Sequence, residues 1–241
     1  MNSVPELLVL AGGFGTRLRS AVSEVPKPLA PVCGRPYLHY LLEQWREQGV
    51  RKFTFLLHHQ ADQIEAFLER QGMQEKFADC AFRSVTEPQP QGTGGAIAYA
   101  VRQLGLKQPF LVANADTWLS AGIAELGTAA APAMAIVRVA DSERYGSVRT
   151  EQNRVLAFEE KRAGAGAGWI NAGLYCLEPD LFRQWDGQPF SLESDMFPTL
   201  VAKRSLTAVA LEAEFIDIGI PADYFAFCRW IESGKMGTLC N

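Results

Sequence analysis

The sequence predicts an α/β fold, and three observations carry that expectation. Over about the first 120 residues, short apolar runs alternate with segments of helical period. The first apolar run breaks into glycines at Leu10-Ala11-Gly12-Gly13-Phe14-Gly15. From Ala133 the pattern changes to strands joined by short polar turns. The alternation implies a parallel sheet with right-handed crossovers, which gathers ligands at the carboxyl ends of its strands. The later pattern implies a more antiparallel second part. At 241 residues and 48% hydrophobic, the chain is expected to bury a large core as one domain, residues 1–241.

The elements follow in order. Glu6–Ala11 is the first strand. Pro36–Gln48 is a helix, because Leu38, Leu41, Leu42 and Trp45 share one face, Pro36 suits the first turn and Gly49 the stop. Strand Lys52–Leu57, helix Gln60–Arg70, strand Ala81–Val85, helix Gly92–Leu104 and strand Pro109–Ala113 complete the first part. Met134–Val139, Gly146–Thr150, Arg154–Glu159 and Trp169–Leu177 then read as strands, and Asp180–Trp185 and Ser191–Lys203 as helical segments. Strands Leu206–Leu211 and Glu214–Ile218 precede a closing helix from about Pro221 to Ser233. An apolar face in that helix, Phe225-Ala226-Phe227 with Trp230-Ile231, is either core or the contact of a homo-oligomer.

Composition excludes several classes. No apolar run approaches the ~18 residues that span a bilayer, and no basic region followed by an apolar one opens the chain, so a cytoplasmic protein without a membrane partner is expected. Five scattered cysteines without a C-x-x-C pair suggest neither a disulfide framework nor a zinc knuckle. A net charge of −4 argues against nucleic acid as a partner, so an anionic ligand requires a local concentration of cations. Arg17, Arg19 and Lys27 supply one. His39, His58 and His59 lack carboxylates at metal-ligand spacing, and no Ser-His-Asp or Cys-His arrangement can be argued.

The glycine loop looks like a phosphate cradle, since glycines let backbone N–H groups approach a polyanion. It is not a P-loop: Gly12 and Gly13 are followed by no Gly-Lys-Ser. It is not a dinucleotide fingerprint either, because Leu18 stands where the third glycine belongs and His58-His59, rather than an acid, end the second strand. Two aspartates call for partners. Asp116 ends the apolar strand Phe110–Ala113 at the edge of the glycine loop, and Asp217 lies in an otherwise apolar strand. A buried unpaired carboxylate is costly, and convergence of two on Mg²⁺ relieves that cost.

Gly12-Gly13-Phe14-Gly15-Thr16-Arg17-Leu18 with Pro26-Lys27-Pro28 resembles the N-terminal motif of the sugar nucleotidyltransferases, also called nucleoside-diphosphate-sugar pyrophosphorylases. The resemblance extends from Leu7 to about Tyr224, and with Phe215-Ile216-Asp217-Ile218-Gly219-Ile220-Pro221-Ala222-Asp223-Tyr224 looks most like the heptose 1-phosphate and mannose 1-phosphate guanylyltransferases. It implies a Rossmann-like, GT-A-like three-layer α/β/α fold with a mixed central sheet. The nucleotide-binding part would be about 1–120 and the sugar-phosphate part about 121–241. No C-terminal left-handed β-helix of the long bifunctional members is expected.

The resemblance also implies the site. Leu10, Ala11, Gly12, Gly13, Gly15 and Thr16 would wrap the triphosphate, Arg17 would neutralise charge developing on it, and Lys27 would hold the reacting phosphates together. Asp116 and Asp217 carry over as Mg²⁺ ligands, with Asp116 also in the catalytic set; Ala115 stands where glycine is usual. Glu87, Gly92 and Thr93 belong to the segment that reads the base. A carboxylate accepts but cannot donate, so Glu87 suits the N1–H and 2-amino group of guanine, whereas uracil or thymine would more naturally meet glutamine. Glu160 would face sugar hydroxyls and Lys161 the sugar 1-phosphate, with Arg162 in place of the usual proline. Gly146, Asn171 and Gly173 match further sugar-contacting positions.

The expected activity is condensation of a nucleoside triphosphate, GTP first, with a sugar 1-phosphate in nucleotide-sugar biosynthesis. Three alternatives stand beside it: a uridylyl- or thymidylyltransferase, a catalytically silent subunit that senses a nucleotide sugar, and a GT-A glycosyltransferase. The last lacks its Asp-x-Asp motif around Asn114-Ala115-Asp116.

Overall fold

The computed structural model describes residues 4–159, 164 and 166–234. Its strands in chain order are β1 (Leu7–Leu10), β2 (Pro31–Val32), β3 (Arg35–Pro36), β4 (Lys52–Leu57), β5 (Ala81–Thr86), β6 (Phe110–Asn114) and β7 (Thr117–Leu119). They continue as β8 (Ala133–Val139), β9 (Ser147–Glu151), β10 (Arg154–Glu159), β11 (Gly168–Leu177), β12 (Thr207–Leu211) and β13 (Phe215–Asp217). The helices are α1 (Tyr37–Glu47), α2 (Ala61–Gly72), α3 (Gly92–Leu104), α4 (Ile123–Thr128), α5 (Phe197–Ala202) and α6 (Pro221–Glu232).

Nine strands form one mixed sheet in the order β5-β4-β1-β6-β11-β8-β12-β10-β9. β5, β4, β1 and β6 are mutually parallel, as the alternating pattern predicts. The second half is antiparallel at β11–β6, β11–β8, β10–β12 and β10–β9 but parallel where β12 lies beside β8. Residues of one strand point alternately to the two faces, so Leu7 and Val9 of β1 pack with α1, α2, α4 and α6 while Leu8 packs with α3 and α5. Helices on both faces of a mixed sheet make the three layers that the family resemblance implies.

Local signals account for most boundaries. α1 starts after Pro36, which is extended at the helix N-cap, and stops before Gly49, whose φ of 98° suits glycine. Asp180–Trp185 forms only a 3-10 turn over Pro179–Phe182, and Ser191–Lys203 divides into a wide π turn, Leu192–Met196, and α5. Pro198 in the first turn of α5 has no N–H to continue a regular ladder from the preceding turn. The closing helix α6 buries Phe227 and Ile231 in the core and leaves Phe225 exposed, so the apolar face read from the sequence is mainly core. Among the described residues, no helix is long and apolar enough to cross a membrane.

Candidate active site

The four parallel strands end at one edge of the sheet. β1 delivers the glycine loop, β4 delivers His58, β5 delivers Glu87 and β6 delivers Asp116. β1 is flanked by β4 and β6, whose crossovers run in opposite directions, and such a reversal opens a crevice at the strand ends. A cleft of about 570 Å³ occupies this position. It is lined by Leu10 to Arg17, Lys27, Glu87, Gly92, Thr93, Asn114, Ala115, Asp116 and Glu193, among others.

Two glycines explain the shape of the loop. A Cβ on Gly12 would stand 2.9 Å from the backbone nitrogen of His58, so only glycine lets the loop lie against the end of β4. Gly15 has φ 58° and a Cβ there would meet Cβ of Lys27 at 3.1 Å. The tight turn thus brings Lys27 to the loop, where its side chain is 10% exposed and Nζ donates to Oδ2 of Asp116 at 2.5 Å.

The second aspartate arrives by long-range pairing. β13 runs antiparallel to β7 with Asp217 opposite Thr117, next to Asp116 in the chain, and the N–H of Ile218 donates to the Asp116 carbonyl at 2.9 Å. Asp217 Oδ1 accepts from the Gly219 N–H at 2.6 Å. Burial, and then the neighbouring Asp116 charge, raise the Asp217 pKa, while Lys27, the Gly219 N–H and Arg17 oppose the rise. The two carboxylates therefore share one electrostatic environment. The hydroxyl of fully buried Tyr37 has no hydrogen-bond partner among the described residues, and burial followed by the charges of Asp116 and Asp217 raises its ionisation far up.

In the loop after β5, Glu87 Oε2 accepts from the Gln91 N–H at 3.1 Å, and burial raises its pKa against that hydrogen bond and the nearby His58. The glycines that follow are shaped by packing as well as by the cleft. The N–H groups of Gly94 and Gly95 donate to the Phe190 carbonyl at 3.0 and 3.2 Å, which satisfies the first turn of α3. Thr93 Oγ1 donates to Oε2 of Glu193 at 2.8 Å. His58 and His59 pack against Phe14, with ring centroids 5.9 and 5.1 Å away, and neither sits in a metal cluster among the described residues.

The positions that the resemblance assigns to the sugar 1-phosphate divide. Glu160, Lys161 and Arg162 lie outside the described residues. Gly146, Asn171 and Gly173 are not among the residues lining the cleft. Asn171 turns its amide inward, with Nδ2 donating to the Tyr175 hydroxyl at 2.9 Å and Oδ1 accepting from the Gly173 N–H at 3.0 Å. These bonds hold an irregularity of β11 against β8 between Asn171 and Tyr175. Ala115 lines the cleft but is only 2% exposed, belongs to the core, and donates its N–H to the Leu10 carbonyl at 3.1 Å.

A family model described as nucleotidyl transferase matches residues 6–233. The chain belongs to the nucleotidyl transferase family. It is 31% identical over 225 residues to D-glycero-alpha-D-manno-heptose 1-phosphate guanylyltransferase of Campylobacter jejuni, covering 92% of this chain and 98% of that one. It is 32% identical over 231 residues to a probable mannose-1-phosphate guanylyltransferase of Oryza sativa, covering 92% of this chain and 63% of that one. The crystal structure of HddC from Yersinia pseudotuberculosis complexed with GMP-PN superposes with a TM-score of 0.81 at 32% identity, covering 94% of this chain and 99% of that one.

Nucleotidyl transferases of this kind generally use a divalent metal. The donor chemistry fits such an ion: Asp116 and Asp217 are both acidic, adjacent and in mutual repulsion, which a cation between them would relieve. Among the described residues no group of three or more His, Cys, Asp or Glu side chains gathers to hold a metal. Among the described residues, Glu193 is the charged cleft residue that sequence reasoning missed. Ser191, whose hydroxyl caps the turn by accepting from the N–H groups of Glu193 and Ser194, is a local signal for the turn but not for its contact with Thr93.

Proposed function

We propose that this nucleotidyl transferase condenses GTP with a heptose- or mannose-type sugar 1-phosphate, releasing pyrophosphate. The observation that carries the reading is a single cleft with cations Arg17 and Lys27 on its loop walls and the acceptor Glu87 at its base loop. Heptose and mannose 1-phosphate guanylyltransferases among the relatives and the GMP-PN complex of HddC support the choice of guanine and of sugar.

The backbone of Leu10, Ala11, Gly12, Gly13, Gly15 and Thr16 cradles the triphosphate, with Arg17 and Lys27 opposing its charge. Glu87 accepts from the guanine edge, beside Gly92 and Thr93. Glu160, Lys161, Gly146, Asn171 and Gly173 serve the sugar 1-phosphate, Asn171 and Gly173 through the shape of β11. The phosphate of that substrate has a second pKa of ~6, as phosphate monoesters do, so its attacking oxygen is already ionised at neutral pH and no general base is needed. What limits the reaction is the approach of two polyanions. Arg17, Lys27 and Lys161 hold them in line for attack on the α-phosphorus, and pyrophosphate leaves. Asp116 and Asp217 would hold Mg²⁺, which when bound screens phosphate charge as a Lewis acid.

GTP labelled at the α-phosphorus tests this reaction directly. The label is expected in the nucleoside-diphosphate sugar and the β- and γ-phosphates in pyrophosphate. Binding of nucleotide sugar without any transfer of label would favour the sensing subunit instead.

A further inference from the structure

We infer that Glu193 is a specificity-determining residue of this cleft that reads a hydroxyl group of the sugar 1-phosphate. The inference rests on the condensation proposed above. Glu193 lines the cleft from the wide turn Leu192–Met196. Its Oε2 accepts from two hydroxyls, Thr93 Oγ1 at 2.8 Å and Ser191 Oγ at 3.0 Å. Thr93 Oγ1 itself accepts from the Leu192 N–H at 2.9 Å, so the carboxylate is clamped between the start of α3 and its own turn. A long flexible side chain is thereby restrained before any substrate arrives, which lowers the entropy lost on binding. Oε1 makes no further hydrogen bond among the described residues.

Charge decides what this oxygen meets. A carboxylate only accepts, and none of the ion pairs among the described residues involves Glu193. Both substrates carry phosphate, which Glu193 repels and which Arg17 and Lys27 attract. The ligand group that stands at Glu193 is therefore an uncharged donor. Position selects the sugar, since Glu87 takes the base and the turn that carries Glu193 runs into Phe197, whose ring centroid stands 5.0 Å from that of Tyr175 on β11. Burial first, and the Glu193 charge next, hold the Tyr175 phenol on that strand far above its ordinary range. Tyr175 in turn accepts from Asn171.

Steady-state pyrophosphate release separates this role from its rivals. Wild type, Glu193→Gln and Glu193→Ala are compared with GTP, 2′-deoxy-GTP, the sugar 1-phosphate that wild type turns over fastest, and its mono-deoxy analogues. Glu193→Gln keeps a carbonyl oxygen for Thr93 and Ser191 while losing the charge. Its KM for the sugar 1-phosphate should rise about tenfold, as a hydrogen bond to a charged group is weakened. KM for GTP should stay within about twofold, a change too small to represent a lost hydrogen bond. The thermal midpoint should not move, and the defect should vanish with one mono-deoxy analogue. Glu193→Ala should raise the sugar KM at least as far. An unmoved sugar KM overturns the inference. So does a raised GTP KM that disappears with 2′-deoxy-GTP, which would assign Glu193 to the ribose, or an equal loss with every analogue and a lowered midpoint, which would make it structural. A wild type inert with every pair would remove the proposed reaction and this inference with it, an outcome distinct from an active enzyme whose sugar KM ignores Glu193.

Discussion

Lys27 donates to Asp116, and its charge also offsets the repulsion between Asp116 and Asp217. Lys27→Ala is expected to lower kcat by about 10²–10³, the loss typical of one preorganised charge-stabilising donor, as read from single-turnover rates. Asp217 makes the opposite kind of contribution. Because its folded pKa is raised, chiefly by burial, folding favours its protonated form, and that stability is lost as pH rises from the unfolded to the folded value. Asp217→Asn should therefore raise the thermal midpoint at pH 7 in metal-free buffer while weakening Mg²⁺-dependent turnover. The gain should fade below about pH 4, where the carboxyl is protonated in both states. An unchanged turnover would remove Asp217 from the metal site. For the base, Glu87→Gln should erode the preference for GTP over UTP and dTTP by about tenfold, the discrimination of one hydrogen bond to a charged acceptor. Selectivity that does not move would leave Glu87 only its bond to the Gln91 N–H.

Among the elements, α1 buries charge as well as apolar surface. Glu43 accepts from Lys76 and pairs with His39, and His39 in turn contacts Gln71 at 3.1 Å. Burial pushes the Glu43 pKa up, yet the hydrogen bonds from His39 and Lys76 outweigh it and the net shift is downward. A depressed pKa contributes stability above the unfolded value that is lost as pH falls through the folded one. Glu43→Gln should cost about 2 kcal/mol at pH 7 by denaturant unfolding, with the difference shrinking towards pH 3. The start of α3 is tied to the Phe190 segment, where a Cβ on Gly94 would fall 2.1 Å from the Phe190 ring. Gly94→Ala should therefore destabilise by about 1–3 kcal/mol, measured by the same unfolding curves. Elements with local signals were legible from sequence: β4, α3 and β10 have the expected ends, since apolar periodicity marks them and Gly92 and Gly105 bound α3. β7 and α4 were not, because β7 is three residues long and its partner β13 lies almost a hundred residues away. The same distance hid Glu193, whose contact with Thr93 spans 100 residues.

At the scale of the whole molecule, the residues that the glycine motif gathers are those that line the cleft, from Leu10 to Arg17 with Lys27, Glu87, Gly92, Thr93 and Asp116. The order of strands was legible only in part. Alternating patterns imply the parallel half, but nothing local tells β12 to lie parallel beside β8 with β10 and β9 outside it. A chain of net charge −4 has room for a polyanion at this sheet edge because Arg17 and Lys27 stand together on the cleft wall. The proposed reaction pairs one nucleotide with one class of sugar. Pyrophosphate release should be measured across GTP, UTP, dTTP, CTP and ATP against heptose, mannose, glucose and galactose 1-phosphates, with Mg²⁺ present. Release is expected with GTP and a heptose or mannose 1-phosphate, and silence with every combination would contradict the proposed reaction.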